Sequence, residues 1–400
     1  MIFSHGLGGS RNAYSSLVGA IASHGVIVIA PEHRDGSCPV TYIRDVPSPN
    51  STSEKRNPKY AKRTVDYKRL SHTPSPEVEA GRNAQLKIRL WELGLVHDSL
   101  LKLDEGKTLT NLNTSSTNLS IFKELMDVHT PGKMTFAGHS FGAATMTQFV
   151  KSTFYSPLTS SAPSDYETLF TPTSRSPLTS QITPQTPIIL LDIWCLPLRA
   201  ATTRWLWNQP FPCYQPTGPG GSALLAVESQ AFYKWRVHLK ATKRLLSPNP
   251  ASDEYDYKNG ISEPNFFYAT SSAHLSQSDF GVLFPWVTKK VFSAEEPERV
   301  MKLNVRAILQ VLRNQGVEIG KTCKADMEMS DTKNEDTRDD KLILGKNEEV
   351  RGWNWLSTDV EDLEDVDLEE VEKGEEIEEP SDAVVGNELV KRKEGTTERL

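Results

Sequence analysis

The chain has 400 residues, 37 % hydrophobic and 24 % charged, enough for one large α/β domain or two smaller ones with a sizeable core. The net charge of −7 hides an asymmetry: residues 321–400 hold 12 Lys and Arg against 26 Asp and Glu, leaving 33 basic and 26 acidic residues in the body. A mildly basic body with an acidic tail suits an anionic surface, while the absence of a dense basic patch interleaved with aromatics argues against nucleic acid as a partner.

Cys38, Cys195, Cys213 and Cys323 show neither zinc-ligand spacing nor the density of a disulfide framework. No metal, no cofactor and a reducing, cytoplasmic setting, with contact to membranes at most peripheral, are therefore expected. No apolar run approaches the ~18 residues of a membrane span. Met1 runs straight into a strand and not into a signal peptide, so the sequons at Asn50, Asn113 and Asn118 read as chance.

In chain order, Ile2 and Phe3 end a strand, Ser4–Ser10 is a Gly-rich turn, Tyr14–Ser23 is helical, and Val26–Ala30 is a β-branched run fit for a buried parallel strand. Residues 36–78 read as a long polar excursion. A helix of strong formers spans Val78–Leu103. Met134–Ala137 is a short buried strand, followed after a turn by a helix over Ala143–Lys151. Residues 155–187 are rich in Ser, Thr and Pro and are expected to be a disordered or surface insertion. Ile188–Leu191 is a strand, Ala223–Ala226 a short apolar segment, Gln230–Leu246 one helix, Asn265–Ala269 a strand and Glu298–Gln315 an amphipathic closing helix. The composition of 321–400 reads as a disordered acidic tail behind a 1–320 catalytic body. Strands alternating with helices imply a mostly parallel sheet covered on both faces.

Gly138-His139-Ser140-Phe141-Gly142, between a strand and a small-residue helix, is the strongest chemical signal. Such a turn needs glycines because side chains there would strike the adjoining strand or helix, and it lifts the serine hydroxyl above the sheet edge. A serine hydroxyl is a poor nucleophile without a base. His274, in a polar loop after the Asn265–Ala269 strand, stands where chain order Ser, acid, His places it. Asp192 closes a buried apolar strand, a costly position for a carboxylate without a partner. Asp165, Asp253 and Asp256 are weaker rivals, and Asp279 lies too near His274 in sequence. His5-Gly6-Leu7-Gly8-Gly9 is a second Gly-rich loop, where Leu7, together with Phe141, could offer backbone N–H groups to an oxyanion. A phosphate cradle is the other reading of that loop, although it holds neither GxGxxG nor GK[ST].

Phe3-Ser4-His5-Gly6-Leu7-Gly8, Glu32-His33-Arg34-Asp35, the Ser140 turn, Leu191-Asp192-x-Trp194-x-x-Pro197-Leu198 and His274-x-x-x-x-Asp279-Phe280 occur in that order. Together they resemble the plasma and intracellular type II platelet-activating factor acetylhydrolases, over much of residues 1–320. The resemblance implies an α/β-hydrolase fold without its first strands, because only a few residues precede the His5 loop here. It also implies a calcium-independent serine esterase acting at the sn-2 position of phospholipids, with Ser140 as nucleophile, Asp192 as orienting acid, His274 as base, and Leu7 and Phe141 as oxyanion donors. A general carboxylesterase on soluble esters, or a catalytically silent lipid-binding protein, are the other readings. Phe284, Trp286, Lys289 and Lys290, just after His274, suit a shallow membrane contact, or else pack in the core beside the site.

Overall fold

The computed structural model describes residues 1–44, 62–113, 118–252, 257, 261–292, 294–322, 324, 327 and 340–360. Cys323, the Asn50 sequon, Asp253, Asp256 and the acidic run 361–379 lie outside the described residues.

Six strands form the central sheet: β1 (Ile2–Ser4), β4 (Phe136–His139), β5 (Ile188–Leu191), β6 (Leu224–Ser229), β7 (Asn265–Ala269) and β8 (Trp353–Trp355), side by side in that order. The first five are parallel and β8 is antiparallel to β7. A separate hairpin, β2 (Val40–Arg44) with β3 (Lys62–Asp66), stands in the stretch expected to be a polar excursion.

The middles of the parallel strands are mostly apolar on both sides because both faces are covered, with polar residues such as Ser4, His139, Glu228 and Ser229 gathered at their carboxyl ends. Along β5, Ile188 and Leu190 face one cluster and Ile189 and Leu191 the other. The first cluster is closed by α2 (Pro76–Asp104), α3 (Phe141–Phe154) and α7 (Arg236–Leu246) through Leu86, Leu90, Phe149 and Leu239. The second is closed by α1 (Ser15–Ala22) and α10 (Pro297–Asn314) through Leu17, Ile21, Val300, Leu303 and Ile308. The start of α2 is specified locally. Ser75 Oγ accepts from the Val78 N–H at 3.2 Å, Pro76 opens the first turn, and Glu77 and Glu79 complement the helix dipole. Short helices α4 (Leu178–Gln181), α5 (Arg204–Trp207), α6 (Gln230–Lys234), α8 (Asp279–Leu283) and α9 (Pro285–Phe292) fill the connections.

Four expectations need correction. Val26–Ala30 is half-buried and not a strand: only Ile29 pairs with β1, receiving the Phe3 N–H on its carbonyl at 2.8 Å. A three-residue β1 offers too short a ladder for more. The helix expected over Gln230–Leu246 breaks at Trp235, whose φ of −79° and ψ of 82° are not helical. The Ser/Thr/Pro-rich stretch 155–187 is ordered on the body. Leu169, Leu178 and Ile182 are buried, and Gln181 donates to the Val128 carbonyl at 2.7 Å while accepting from the Met134 N–H at 3.2 Å. Its average composition conceals those few anchors.

The acidic-tail expectation fails over 340–360. Asp340 forms a buried pair with Arg306, Ile343 and Val350 are buried, and the Trp353 ring stacks on Phe267 with centroids 5.2 Å apart while its Nε1 donates to the Ile343 carbonyl at 2.8 Å. Among these twenty-one residues Leu342, Ile343, Leu344, Val350, Trp353 and Trp355 pack on the second cluster and give the segment a buried face that charge counting over eighty residues obscures.

Candidate active site

The sheet's carboxyl edge gathers the residues singled out from sequence. Ser140 sits between β4 and α3 with φ 55° and ψ −120°, a strained conformation for a residue bearing Cβ. Its N–H donates to the Leu191 carbonyl at 2.9 Å and its carbonyl accepts from the Trp194 N–H at 3.3 Å, so the tip of β5 braces the turn. Both flanking glycines are required by space. A Cβ on Gly138 would strike the Gly142 backbone, and one on Gly142 would strike the Ser4 carbonyl.

Asp192 follows β5 and is fully buried. Its Oδ2 accepts from His274 Nδ1 at 3.0 Å, and its Oδ1 accepts from the Ser229 N–H. The His274 loop is fixed by reciprocal bonds: the Gln230 N–H donates to Ser272 Oγ at 3.0 Å, and the Ser271 N–H to Gln230 Oε1 at 2.6 Å. The His274 ring stacks on Phe232 (centroids 4.4 Å apart, planes at 7°) and lies 4.4 Å from the His139 ring. His139 directly precedes Ser140, so the imidazole of His274 stands beside the serine turn. Among the described residues no hydrogen bond joins Ser140 Oγ to His274; catalytic bonds of this kind tighten in the complex with substrate.

The rival acids go elsewhere. Asp279 caps α1, accepting from the Ser15 and Ser16 N–H groups at 2.6 and 2.9 Å, and Asp165 is exposed.

In the His5 loop the Gly6 N–H donates to the Tyr14 hydroxyl at 3.0 Å, the Gly8 N–H to the Ser37 carbonyl at 2.8 Å and the Gly9 N–H to the Gly6 carbonyl at 3.3 Å. Among the described residues the N–H groups of Leu7 and of Phe141, the latter at the open first turn of α3, donate to nothing. A Cβ on Gly6 would lie 3.0 Å from the Ser140 Cβ, so this loop runs directly over the serine.

Sequence reasoning missed the groups beneath. Arg89 on α2 is fully buried; its Nη1 donates to the His5 carbonyl at 2.9 Å and its Nε to Asp35 Oδ2 at 2.6 Å, anchoring the loop. The Tyr14 hydroxyl shares a hydrogen bond with His139 Nδ1 at 2.8 Å while accepting from the Gly6 N–H. Burial, reinforced by His274 alongside, holds the His139 pKa well below the usual histidine range, so that ring is neutral. No local pattern could have announced these pairs, whose members are 84 and 125 residues apart.

Among the described residues two groupings bring three potential metal ligands within 4.8 Å of one another: His139 with Asp192 and His274, and His5 with Glu32 and Cys38. Several of these ligand atoms already have partners. In the first, the Nδ1 atoms serve Tyr14 and Asp192; in the second, His5 Nε2 accepts from the His33 N–H at 3.2 Å, and burial pushes the Cys38 thiol up to about 12.

The fold agrees with the comparisons. The family model described as platelet-activating factor acetylhydrolase, isoform II, matches residues 1–337. The chain belongs to that family. It is therefore an α/β-hydrolase-fold member of a group of phospholipid-ester hydrolases. It is 29 % identical over 341 residues to a putative phospholipase A2 of Schizosaccharomyces pombe, covering 79 % of this chain and 68 % of that protein. It is 35 % identical over 149 residues to the platelet-activating factor acetylhydrolase of Cavia porcellus and 36 % identical over 149 residues to that of Bos taurus. Those matches cover 37 % of this chain and only 30 % and 31 % of the mammalian proteins.

Among the described residues no helix is long and apolar enough to cross a membrane. The segment after His274 nevertheless forms an apolar surface. Leu283, Phe284, Trp286 and Val291 are exposed, Trp286 by 70 %, and Lys290 Nζ lies 4.9 Å from the Trp286 ring centre. The core-packing alternative for Phe284 and Trp286 is thereby overturned; Lys289 and Lys290 are exposed on the same short helix.

Proposed function

We propose that this protein is a calcium-independent serine esterase that removes the sn-2 acetyl or short acyl group from phospholipids resembling platelet-activating factor. The observation that carries the reading is the meeting, at one sheet edge, of a strained serine turn, a buried Asp–His pair and two backbone N–H groups with no partner. Ser140 Oγ attacks the ester carbonyl as His274 Nε2 takes its proton; Asp192 holds the imidazole through Nδ1 and stabilises the imidazolium. Leu7 and Phe141 N–H donate to the oxyanion. His274 then protonates the departing sn-2 oxygen, giving a lysophospholipid and an acyl-serine, and the same base activates water to release the acid. No step calls for a cation.

The exposed apolar patch of α9 supports an interfacial substrate over a soluble one. Its bulk would enter the headgroup boundary while Lys289 and Lys290 meet anionic lipid. Phe284→Ala with Trp286→Ala is expected to weaken sedimentation with anionic vesicles while hydrolysis of a soluble nitrophenyl ester is unchanged; equal loss of both would remove the membrane role.

The deciding experiment compares a 1-alkyl-2-acetyl phosphocholine, its long-chain sn-2 counterpart and a nitrophenyl acetate in the presence of chelator. The expected order puts the acetylated phospholipid first. Turnover of the nitrophenyl ester alone would make the protein a general carboxylesterase, and failure of folded protein to react with a fluorophosphonate would make it a silent lipid binder.

A further inference from the structure

A second acid stands beside Asp192. Glu228, next to last in β6, is buried, and among the described residues neither of its carboxyl oxygens receives a hydrogen bond. Leu190 and Ala226 are partners in the β5–β6 ladder and face the same core cluster. Glu228 lies two residues beyond Ala226 in β6, so its side chain rises on that same face, and Asp192 directly follows the end of β5 beside it. The Asp192 N–H donates to the Val227 carbonyl at 2.8 Å, and the Ser229 N–H returns to Asp192 Oδ1, so the two acids flank one backbone clamp. Thr242 of α7 and Cys195 after β5 border Glu228; His238 of α7 accepts from the Cys195 N–H at 3.1 Å and feels Arg199 and His274, and the cations Arg199 and Lys151 act on Cys195. A carboxylate here would lack water and have the Thr242 hydroxyl as its one neighbouring donor among the described residues, too little to offset the cost of burying a full charge.

We propose that Glu228 stands as a neutral carboxylic acid whose O–H donates to Asp192, making it a positioning residue for the Asp192–His274 pair. Burial, and then the neighbouring Asp192 charge, push the Glu228 carboxyl well above the usual range, in keeping with that state. The bond gives Asp192 a third donor and fixes its plane toward His274. It also draws charge away from the face that meets the imidazole. This inference rests on the catalytic roles proposed above.

Two variants and one spectrum test it. Glu228→Gln replaces the O–H with an amide N–H and is expected to hold kcat/KM and its acidic limb close to wild type. Glu228→Leu keeps bulk but removes the donor, and should lower kcat/KM by about tenfold, the worth of one charge-assisted hydrogen bond. It should also move the acidic limb to higher pH, because a more basic Asp192 makes His274 hold its proton. Were Glu228 ionised in the wild type, Glu228→Gln would remove a negative charge near His274 and drop the limb by about one unit; that result overturns the proposal. The infrared difference between Ser140→Ala and Ser140→Ala/Glu228→Gln should show a protonated-carboxyl band in the former alone, and its absence overturns the proposal too. That spectrum needs no turnover, so it decides the protonation state even if Glu228→Leu does not fold. It is also separate from the esterase reading, which a Ser140→Ala variant that stays active would remove.

Discussion

Ser140→Ala is expected to reduce ester hydrolysis by about 10⁴-fold or more, by analogy with other triads, and to abolish fluorophosphonate labelling without lowering the melting temperature. Among the described residues the hydroxyl makes no hydrogen bond, and alanine keeps the Cβ that the turn already tolerates at φ 55°. His274→Ala should lose a comparable factor, and the double variant little beyond either, because nucleophile and base act as one unit. Asp192→Asn should fall almost as far, since an amide cannot hold the imidazole in the productive tautomer. Labelling that survives Ser140→Ala would remove the serine from the chemistry; Asp192→Asn within a few-fold of wild type would mean that another acid orients the base.

The second large effect concerns a methyl group. Gly142→Ala is expected to cost about 3 kcal/mol or more, because the new Cβ would lie inside the contact distance of the Ser4 carbonyl, and β1 and α3 would have to part. Since β1 continues into the His5 loop, any parting also moves Leu7 off the serine, so activity should fall with stability. Gly19→Ala on α1 is the control. A Cβ there meets nothing within 4 Å, and the exchange should stabilise by roughly 0.5–1 kcal/mol, the difference in helix propensity. Urea midpoints measure both. A Gly142→Ala protein with a wild-type midpoint would show that the turn has room that the backbone positions deny it.

Legibility in the sequence followed locality. Ile188–Leu191 and Asn265–Ala269 are strands with the bounds read from apolar runs, and the Ser140 turn was visible because its chemistry is packed into five residues. Asp192 was conspicuous as a charge ending an apolar strand, and the structure places it against His274. Glu228 carries the same signature at the end of Leu224–Val227, but with the segment read only as far as Ala226 it fell outside. Averages over long windows concealed sparse anchors, as with Leu178 and Ile182 in a Ser/Thr/Pro stretch and Trp353 in an acidic one. Arg89 under the His5 loop and Tyr14 under His139 depend on pairings that exist only after the chain has folded.

The antiparallel β8 has a bearing on biosynthesis. Trp353–Trp355 covers the open hydrogen-bonding side of β7, yet it leaves the ribosome after every other strand and helix among the described residues. Until then a nascent chain presents Phe267 and Tyr268 as an unpaired border able to recruit a second polypeptide. A recombinant product ended at residue 337, where the family match stops, would keep that border for good and should self-associate.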